Sequence, residues 1–490
     1  MVQPLVFIEN RTFDEIEIGE SATLTRVLGR PDIELFAVMS GDVNPAHLDE
    51  EYAHSDVFHE IVAHGMWGGA LISTLLGTKL PGPGTIYLEQ TLSFRRPVKV
   101  GDAVTVSVTA TAKDAERHRI SFDCRCVNQR GETVIEGVAK VMAPVSKVRR
   151  PRVSLPEVQL REHGVLLRRL VEKARRLGPI RMAVVHPVDR DGLLGAAQAA
   201  HEGLIVPVLI GPVHRIKAVA AEHDIDITSL SLIPADHGHD AAERALALAR
   251  SGEVEAVMKG SLRTRELMRL AVARGTGLVT DRRMSHAYVM DVPGYARPLF
   301  ITDAATAVAP DLGAKRAIVQ NVIDLALALG VENPKVAVLS AVETIYPGLR
   351  STLEAAALAK MAERGQITGG VVDGPLGFDD AVSSAAARAK GIESPVAGQA
   401  DALVVPDLES GAMLVKQLGY LGDSQAAGIV LGGRVPIVPT SRANNALERV
   451  ASCAIAVLVA HAYGEPKPPA IERSHTIRVP GAAAKLTPIQ

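Results

Sequence analysis

Two stretches of the chain place proton-transfer and anion-binding groups close together. In FAVMSGDVNPAHLDEEYA (36–53), Asp42 and His47 are five residues apart, with Asn44–Pro45 between them. Proline restricts Asn44 to extended geometry, so this segment is a turn that ends one helix and begins another. A carboxylate and an imidazole on one turn can hold a water between them, and either can take its proton. The same residues also suit a capped turn in which Asp42 and Asn44 bond backbone amides. Further on, His64–Gly65 opens the apolar run HGMWGGALISTLLG (64–77). A helix amino terminus presents unpaired amides and a positive dipole end, and glycine there lets a ligand oxygen approach the backbone. A plain tight helix start would look the same.

The second stretch is VPTSRANNALERVASCAIAVL (438–458). Ser441 and Arg442 stand at a strand end just before a helix. Hydroxyl, guanidinium and backbone amides converge there, which makes an anion site. The serine would equally serve as an N-cap, worth about 1 kcal/mol. Glu448 follows seven residues on, two turns along and near the same helix face. It is placed to be a base, or is an ordinary solvated glutamate.

These groups need elements to position them. The first 145 residues read as strands around one helix. The run 64–77 is apolar nearly all round and should be buried. Four alternating or β-branched runs follow it, TIYLEQTLSFRRPVKV, DAVTVSVTATAKD, RISFDCRCVNQRG and TVIEGVAKVMAP, separated by Gly/Asp/Asn turns. A four-strand meander after such a helix should wrap around it, leaving an edge that a second copy can cover. Residues 144–160 carry three prolines and a basic run without periodicity, as an exposed linker does. Beyond them, continuous apolar strands such as IRMAVVHP and LIVPVLIG alternate with Ala-rich helices. That pattern predicts a parallel or mostly parallel α/β sheet. Its ligands should sit at the carboxyl ends of the strands, where Lys259–Gly260, Asp373–Gly374–Pro375 and Ser441–Arg442 fall. The tail from Gly464 is proline-rich and without pattern. Neither GxGxxG nor GxxxxGK[ST] occurs, so neither a Rossmann dinucleotide site nor a P-loop is supported.

Composition narrows the classes further. The chain has 490 residues and formal net charge −2, with 47% hydrophobic residues. Residues 1–150 carry 16 basic and 20 acidic side chains, and the remainder 37 and 35. No polybasic face is implied, which disfavours nucleic acid as a partner. Three cysteines, Cys124, Cys126 and Cys453, suit a reducing compartment. Cys124 and Cys126 point to one sheet face and lack a second Cys/His pair at ligand spacing, so no metal is expected. No secretory signal is visible. The late apolar stretch from Val450 to Ala460 is too short for the ~20 residues of a bilayer span, which leaves a buried helix and a cytoplasmic, non-membrane protein as the expectation.

Two resemblances extend this reading. SGDVNPAHLD, HGM and GTIYLEQTLSFRRPVKVGDAVTV, within residues 10–143, resemble the MaoC-like (R)-specific enoyl-CoA hydratases. The resemblance implies an α+β hot-dog fold in which Asp42 and His47 activate a water for addition to a trans-2-enoyl-CoA. Asn44 would support the loop, and His64–Gly65 would meet the thioester, with the Gly65 amide on its oxygen. Family members work as dimers or fused pairs, so self-association is implied.

AVMKGSLRTRELMRLA, SHAYVMDVPGYARPLFITDAATAVAPDL, PKVAVLSAVE, VVDGPLGFDDAV, SPVAGQADALVVPDLESGAMLVKQL and PTSRANN, within residues 161–463, resemble the phosphate acetyl/butyryltransferases. MKG, VPGY and ITDAA–APDL are closer to the butyryl branch. The implied reaction is reversible acyl transfer between CoA and phosphate, in an α/β two-subdomain fold like the isocitrate/isopropylmalate dehydrogenase class. Ser441 and Arg442 match the family's pair at the thiol and acyl carbonyl, and Arg269 matches an arginine that holds the phosphate end. Lys259, in the MKG strand, would also face substrate. Glu448 stands where the acetyl branch has an aspartate base, and a further arginine of that branch has only a positional counterpart, Arg250. Neither resemblance implies a tightly bound cofactor; CoA is substrate and product. The expectation is a bifunctional homo-oligomeric enzyme. The alternative is an acyltransferase with a non-catalytic, acyl-CoA-binding, dimerising hot-dog domain.

Overall fold

The computed structural model describes residues 6–155, 158, 160, 163–275, 277–440 and 444–464. The chain divides into two compact units, Met1–Leu160 and Arg161–Gln490.

In the first unit, five antiparallel strands form one sheet in the order Ser21–Val27, Ala103–Asp114, Arg119–Val127, Thr133–Met142, Ile86–Phe94. Alternation explains the two long central strands. Val104, Val106, Val108 and Ala110 point inward, as do Ile120, Phe122, Cys124 and Cys126 on the neighbour. The helix Gly65–Thr78 lies on that face through Trp67, Leu71, Ile72, Leu75 and Leu76. A Cβ on Gly68 would stand 2.3 Å from Ile135 Cδ1, so glycine is what allows this close approach.

Three expectations for this unit need correction. The helix is buried on one face only; Met66, Ser73 and Thr74 are exposed, because the sheet covers a single side. The four strands after it are not a simple meander. Ile86–Phe94 crosses to pair with Thr133–Met142, and SATLTRV (21–27), which the turn-based reading passed over, takes the opposite edge. The region 144–160 is not all linker, because Arg149–Pro151 pairs antiparallel with Phe7–Glu9.

The second unit holds one eleven-stranded sheet. Its order is Ser231–Pro234, Ile205–Gly211, Ile180–Val185, Ala256–Lys259, Ile437–Val438, Gln425–Leu431, Ser285–Asp291, Leu299–Thr302, Ala402–Val404, Lys335–Leu339, Val371–Leu376. Pairing is parallel at both ends and antiparallel around Ser285–Asp291 and between Gln425–Leu431 and Ile437–Val438. The strand reading expected a mostly parallel sheet and overlooked SHAYVMD, whose polar first residues and Tyr288 break the apolar run.

The helix Ala446–Gly464 is buried from Arg449 to Val459. It is the one described helix long and apolar enough to cross a membrane, and most of it lies inside this unit's core.

Candidate functional sites

The first site forms where three short elements meet. The helix Arg30–Ser40 stops at Gly41, whose φ of 75° is left-handed and favours glycine. Asn44 then caps Pro45–Leu48, its side-chain oxygen accepting from Ala46 N at 3.2 Å, and Asp49 caps Glu50–Ser55. The capped-turn reading and the catalytic reading therefore divide the residues between them: Asn44 makes the turn, and Asp42 and His47 are displayed by it.

His47 Nδ1 lies 2.8 Å from the Val62 carbonyl. A carbonyl only accepts, so Nδ1 carries the proton and Nε2 is left as an acceptor. His64 is buried and donates from Nε2 to the Asp42 carbonyl at 3.1 Å. The two imidazoles stack with centroids 4.0 Å apart. Asp42, His47 and His64 each bring one donor atom within 4.8 Å of the others, a spacing that suits a shared water and could also admit a small cation. Asp42 is exposed and His47 half-buried, so the turn displays both at the surface. His64, expected to touch substrate, is buried beside the other two and holds the loop through its bond to the Asp42 carbonyl.

Gly65 begins its helix, where an amide has no intrahelical acceptor, and it is exposed. A Cβ there would come within 3.0 Å of the Phe94 ring. Asp42, His47 and a helix-end amide together can orient a water and polarise a carbonyl.

The second site lies at the carboxyl ends of two adjacent parallel strands, Ala256–Lys259 and Ile437–Val438. A cleft of about 930 Å³ opens there, lined by His186, Asp191, Lys259, Ser261, Thr440 and Arg449 among others. Lys259 is buried, and its Nζ donates to Gly260 O at 3.1 Å and Leu262 O at 3.3 Å. Thr440 Oγ1 donates to Lys259 O at 2.5 Å. Ser441 and Arg442 lie outside the described residues; Thr440, just before them, is in the cleft wall.

The remaining expected residues are more scattered. Arg269 is on the helix Thr264–Ala271 and lines a neighbouring cleft of about 650 Å³ with Thr306, Ala307 and Pro310, not the Lys259 cleft. Asp303 orders that second wall, with Oδ1 accepting from Ala305 N at 2.9 Å and Thr306 N at 2.8 Å. Asp373–Pro375 lies within the strand at the far edge of the sheet, so it is not brought to Lys259. Arg250 lines neither cleft.

Glu448 requires a correction. Its Oε1 accepts from Ala426 N at 2.9 Å, and its Oε2 accepts from Asn445 N at 2.9 Å and Asn444 Nδ2 at 3.2 Å. Asn445 Oδ1 accepts in return from Glu448 N, which completes a capping box. Glu448 is not an ordinary solvated glutamate: both Oε2 sites and one of the two at Oε1 are taken. A thiol proton has only the remaining Oε1 site open to it unless an amide is displaced.

Two cleft residues were missed. His186 follows IRMAVV directly, buried and with φ of 52°; burial holds its imidazole below the ordinary value, so it is neutral at pH 7. Its signal was a polar residue at a strand's carboxyl end. Arg449 was hidden at the border of an apolar helix.

Comparison with known proteins matches both halves. The family described as phosphate acetyl/butaryl transferase matches residues 235–457, and that described as MaoC like domain matches residues 11–128. A phosphate acetyltransferase from Rhizobium meliloti is 56% identical over 60% of this chain and 92% of its own. A phosphate butyryltransferase from Clostridium acetobutylicum is 38% identical over 59% of this chain and 95% of its own. The solved (R)-hydratase PhaJ1 from Pseudomonas aeruginosa is 43% identical over 32% of this chain and 99% of its own, with a TM-score of 0.31.

Proposed function

The chain belongs to the phosphate acetyltransferase family through its second unit, and on that premise we propose that this unit moves an acyl group reversibly between CoA and phosphate, with an acetyl group as the first candidate. The observation that carries the reading is the bond between Thr440 and Lys259, which brings the chain to the cleft mouth directly before Ser441 and Arg442. In this reading Ser441 and Arg442 serve the thiol and the acyl carbonyl, since a thiol must lose its proton to attack and the developing anion wants a guanidinium. Lys259 supplies positive charge to one cleft and Arg269 to its neighbour. A fold of the isocitrate/isopropylmalate dehydrogenase class is consistent with the mostly parallel sheet.

For the first unit we infer hydration of a trans-2-enoyl-CoA to an (R)-3-hydroxyacyl-CoA. The support is the family match over residues 11–128 and the gathering of Asp42, His47 and His64 within 4.8 Å of one another, with His47 held through Nδ1 so that Nε2 is left for a ligand. Asp42 or His47 takes the water's proton while the Gly65 amide meets the thioester oxygen. The chain would thus be a bifunctional transferase and lyase with acyl-CoA, CoA and phosphate as ligands and no resident cofactor. Its buried free cysteines suit the cytoplasm. The edge strand Ile86–Phe94 exposes Ile86, Leu88 and Phe94, which favours pairing with a second copy. The second reading, a dimerising and acyl-CoA-binding first unit without turnover, is favoured by that same edge.

Incubation of the purified chain with crotonyl-CoA, and separately with acetyl-CoA and phosphate, tests both halves by mass spectrometry. 3-Hydroxybutyryl-CoA from the first and acetyl phosphate with free CoA from the second are expected. Acetyl phosphate without hydration would leave only the second reading for the first unit. Absence of any acyl phosphate with acetyl-, propionyl- and butyryl-CoA would overturn the transferase reading.

A further inference from the structure

Arg449 is the fourth residue of the helix Ala446–Gly464, and it is buried. Its stem passes against Gly195, where a Cβ would come within 3.1 Å of Arg449 Cδ and within 3.3 Å of Met258 Cε. The fold thus makes room for this side chain. Arg449 lines the same cleft as Lys259 and Thr440, with Nη2 toward Asp191.

Among the described residues that guanidinium has no hydrogen bond. Nε and Nη1 are buried without an acceptor. Nη2 approaches Asp191 Oδ1 only to 3.6 Å, and the Asp191 side chain is 37% exposed. A buried cation compensated this loosely is expensive unless a second anion joins it. The other two carboxylates lining the cleft, Asp189 and Glu266, make no ion pair with Arg449. Asp189 caps the helix Arg190–His201 through the Gly192 amide at 2.8 Å, and Glu266 belongs to the helix Thr264–Ala271. An oxyanion entering the cleft would find Nη2 at its wall and replace the loose contact with Asp191.

We propose that Arg449 is a phosphate-binding residue of the acyl-transfer cleft, receiving an oxygen of inorganic phosphate or of the acyl phosphate at the Nη2 edge in competition with Asp191. This rests on the transferase reading above. It adds a residue that the family resemblance did not supply, and it places the phosphoryl group in the cleft that Lys259 lines and not in the Arg269 cleft.

The test uses the full chain and two substitutions. Arg449→Met keeps the stem and removes the charge. Its KM for phosphate should rise on the order of tenfold or more, as loss of a charge-assisted hydrogen bond does. Its KM for acetyl-CoA should stay within about twofold, a split that a general structural defect would not give. Asp191→Asn removes the competing carboxylate and should lower the phosphate KM by about threefold, in line with a half-exposed ion pair. Thermal unfolding with inorganic phosphate or with CoA supplies a readout free of turnover. Phosphate should raise the Tm of the wild type and not that of Arg449→Met, while CoA should protect both. An unchanged phosphate KM in Arg449→Met, or loss of protection by CoA in place of phosphate, overturns the proposal and leaves the transferase reading intact. A wild type without turnover but with phosphate protection lost in Arg449→Met would do the reverse. If Arg449→Met does not fold, Asp191→Asn decides: an unchanged phosphate KM there counts against the proposal.

Discussion

Thr440 Oγ1 donates to the Lys259 carbonyl at 2.5 Å, across 181 residues of chain. The bond locks the ends of two neighbouring parallel strands, Ala256–Lys259 and Ile437–Val438, at the mouth of the larger cleft. Thr440→Val keeps the shape and removes the donor, leaving the buried Lys259 carbonyl without that partner. A cost of about 1–3 kcal/mol in stability is expected. Acyl transfer should fall with it, because the strand end would loosen, while hydration of crotonyl-CoA stays at the wild-type rate. Equal loss of both activities would show that the two units do not behave independently.

Asp42→Asn should lower hydration by a factor on the order of 10²–10⁴, the usual reach of a general base or acid. Acetyl phosphate formation should not change. The amide retains an oxygen that can accept from Asn44 N, as Asp42 Oδ1 now does at 3.2 Å, so the turn should survive. Hydration that persists in this variant removes Asp42 from the chemistry.

The capping box predicts how Glu448 behaves. Glu448→Ala should destabilise the chain by about 1 kcal/mol, since the Asn445 and Ala426 amides lose their acceptor. Glu448→Gln keeps one acceptor oxygen and should retain most acyl transfer, with a modest fall in Tm. A Gln variant with wild-type Tm and no transfer would restore the base role expected from the sequence.

Burial pushes His286 down to about 4, with the Asp303 carboxylate pulling the other way. On unfolding it returns to the ordinary 6.5, so between those values the unfolded chain binds a proton that the folded chain refuses. Its contribution to stability is therefore whole above about pH 6.5 and is lost as pH falls toward 4, by roughly 3 kcal/mol at most. Melting temperature measured across that interval should fall less steeply in His286→Leu than in the wild type.

Burial also raises the thiols, Cys124 to about 11 and Cys126 and Cys453 to about 12. None should react with iodoacetamide in the native protein near pH 8, and all three should react in denaturant. Rapid native labelling, read by mass spectrometry, would contradict their placement in the core.

The turn around Asp42 was legible because its signals are local. Proline at 45 and an Asx residue before it determine a cap whatever the tertiary context, and Asn44 behaves accordingly. Period-two alternation likewise exposed the inward face of Ala103–Asp114 and Arg119–Val127. Strand order was not legible, because nothing in TIYLEQTLSF tells that its partner lies beyond two other strands. Arg449 escaped for a related reason. A charged residue bordering an apolar helix reads as a boundary, and only the opposing Gly195 shows that the fold has made room for it. The bonds of Glu448 were not legible, because a glutamate seven residues after a serine shows only the spacing of a base, while the capping box and the bond to the distant Ala426 amide depend on the folded chain.

The ribbon of Phe7–Glu9 and Arg149–Pro151 brings the opening and closing segments of the first unit side by side. A unit whose two ends meet can be spliced beside another protein without tearing a strand from its sheet. The unit carries the turn of Asp42 and His47 complete, and the backbone passes from it into the second unit only once.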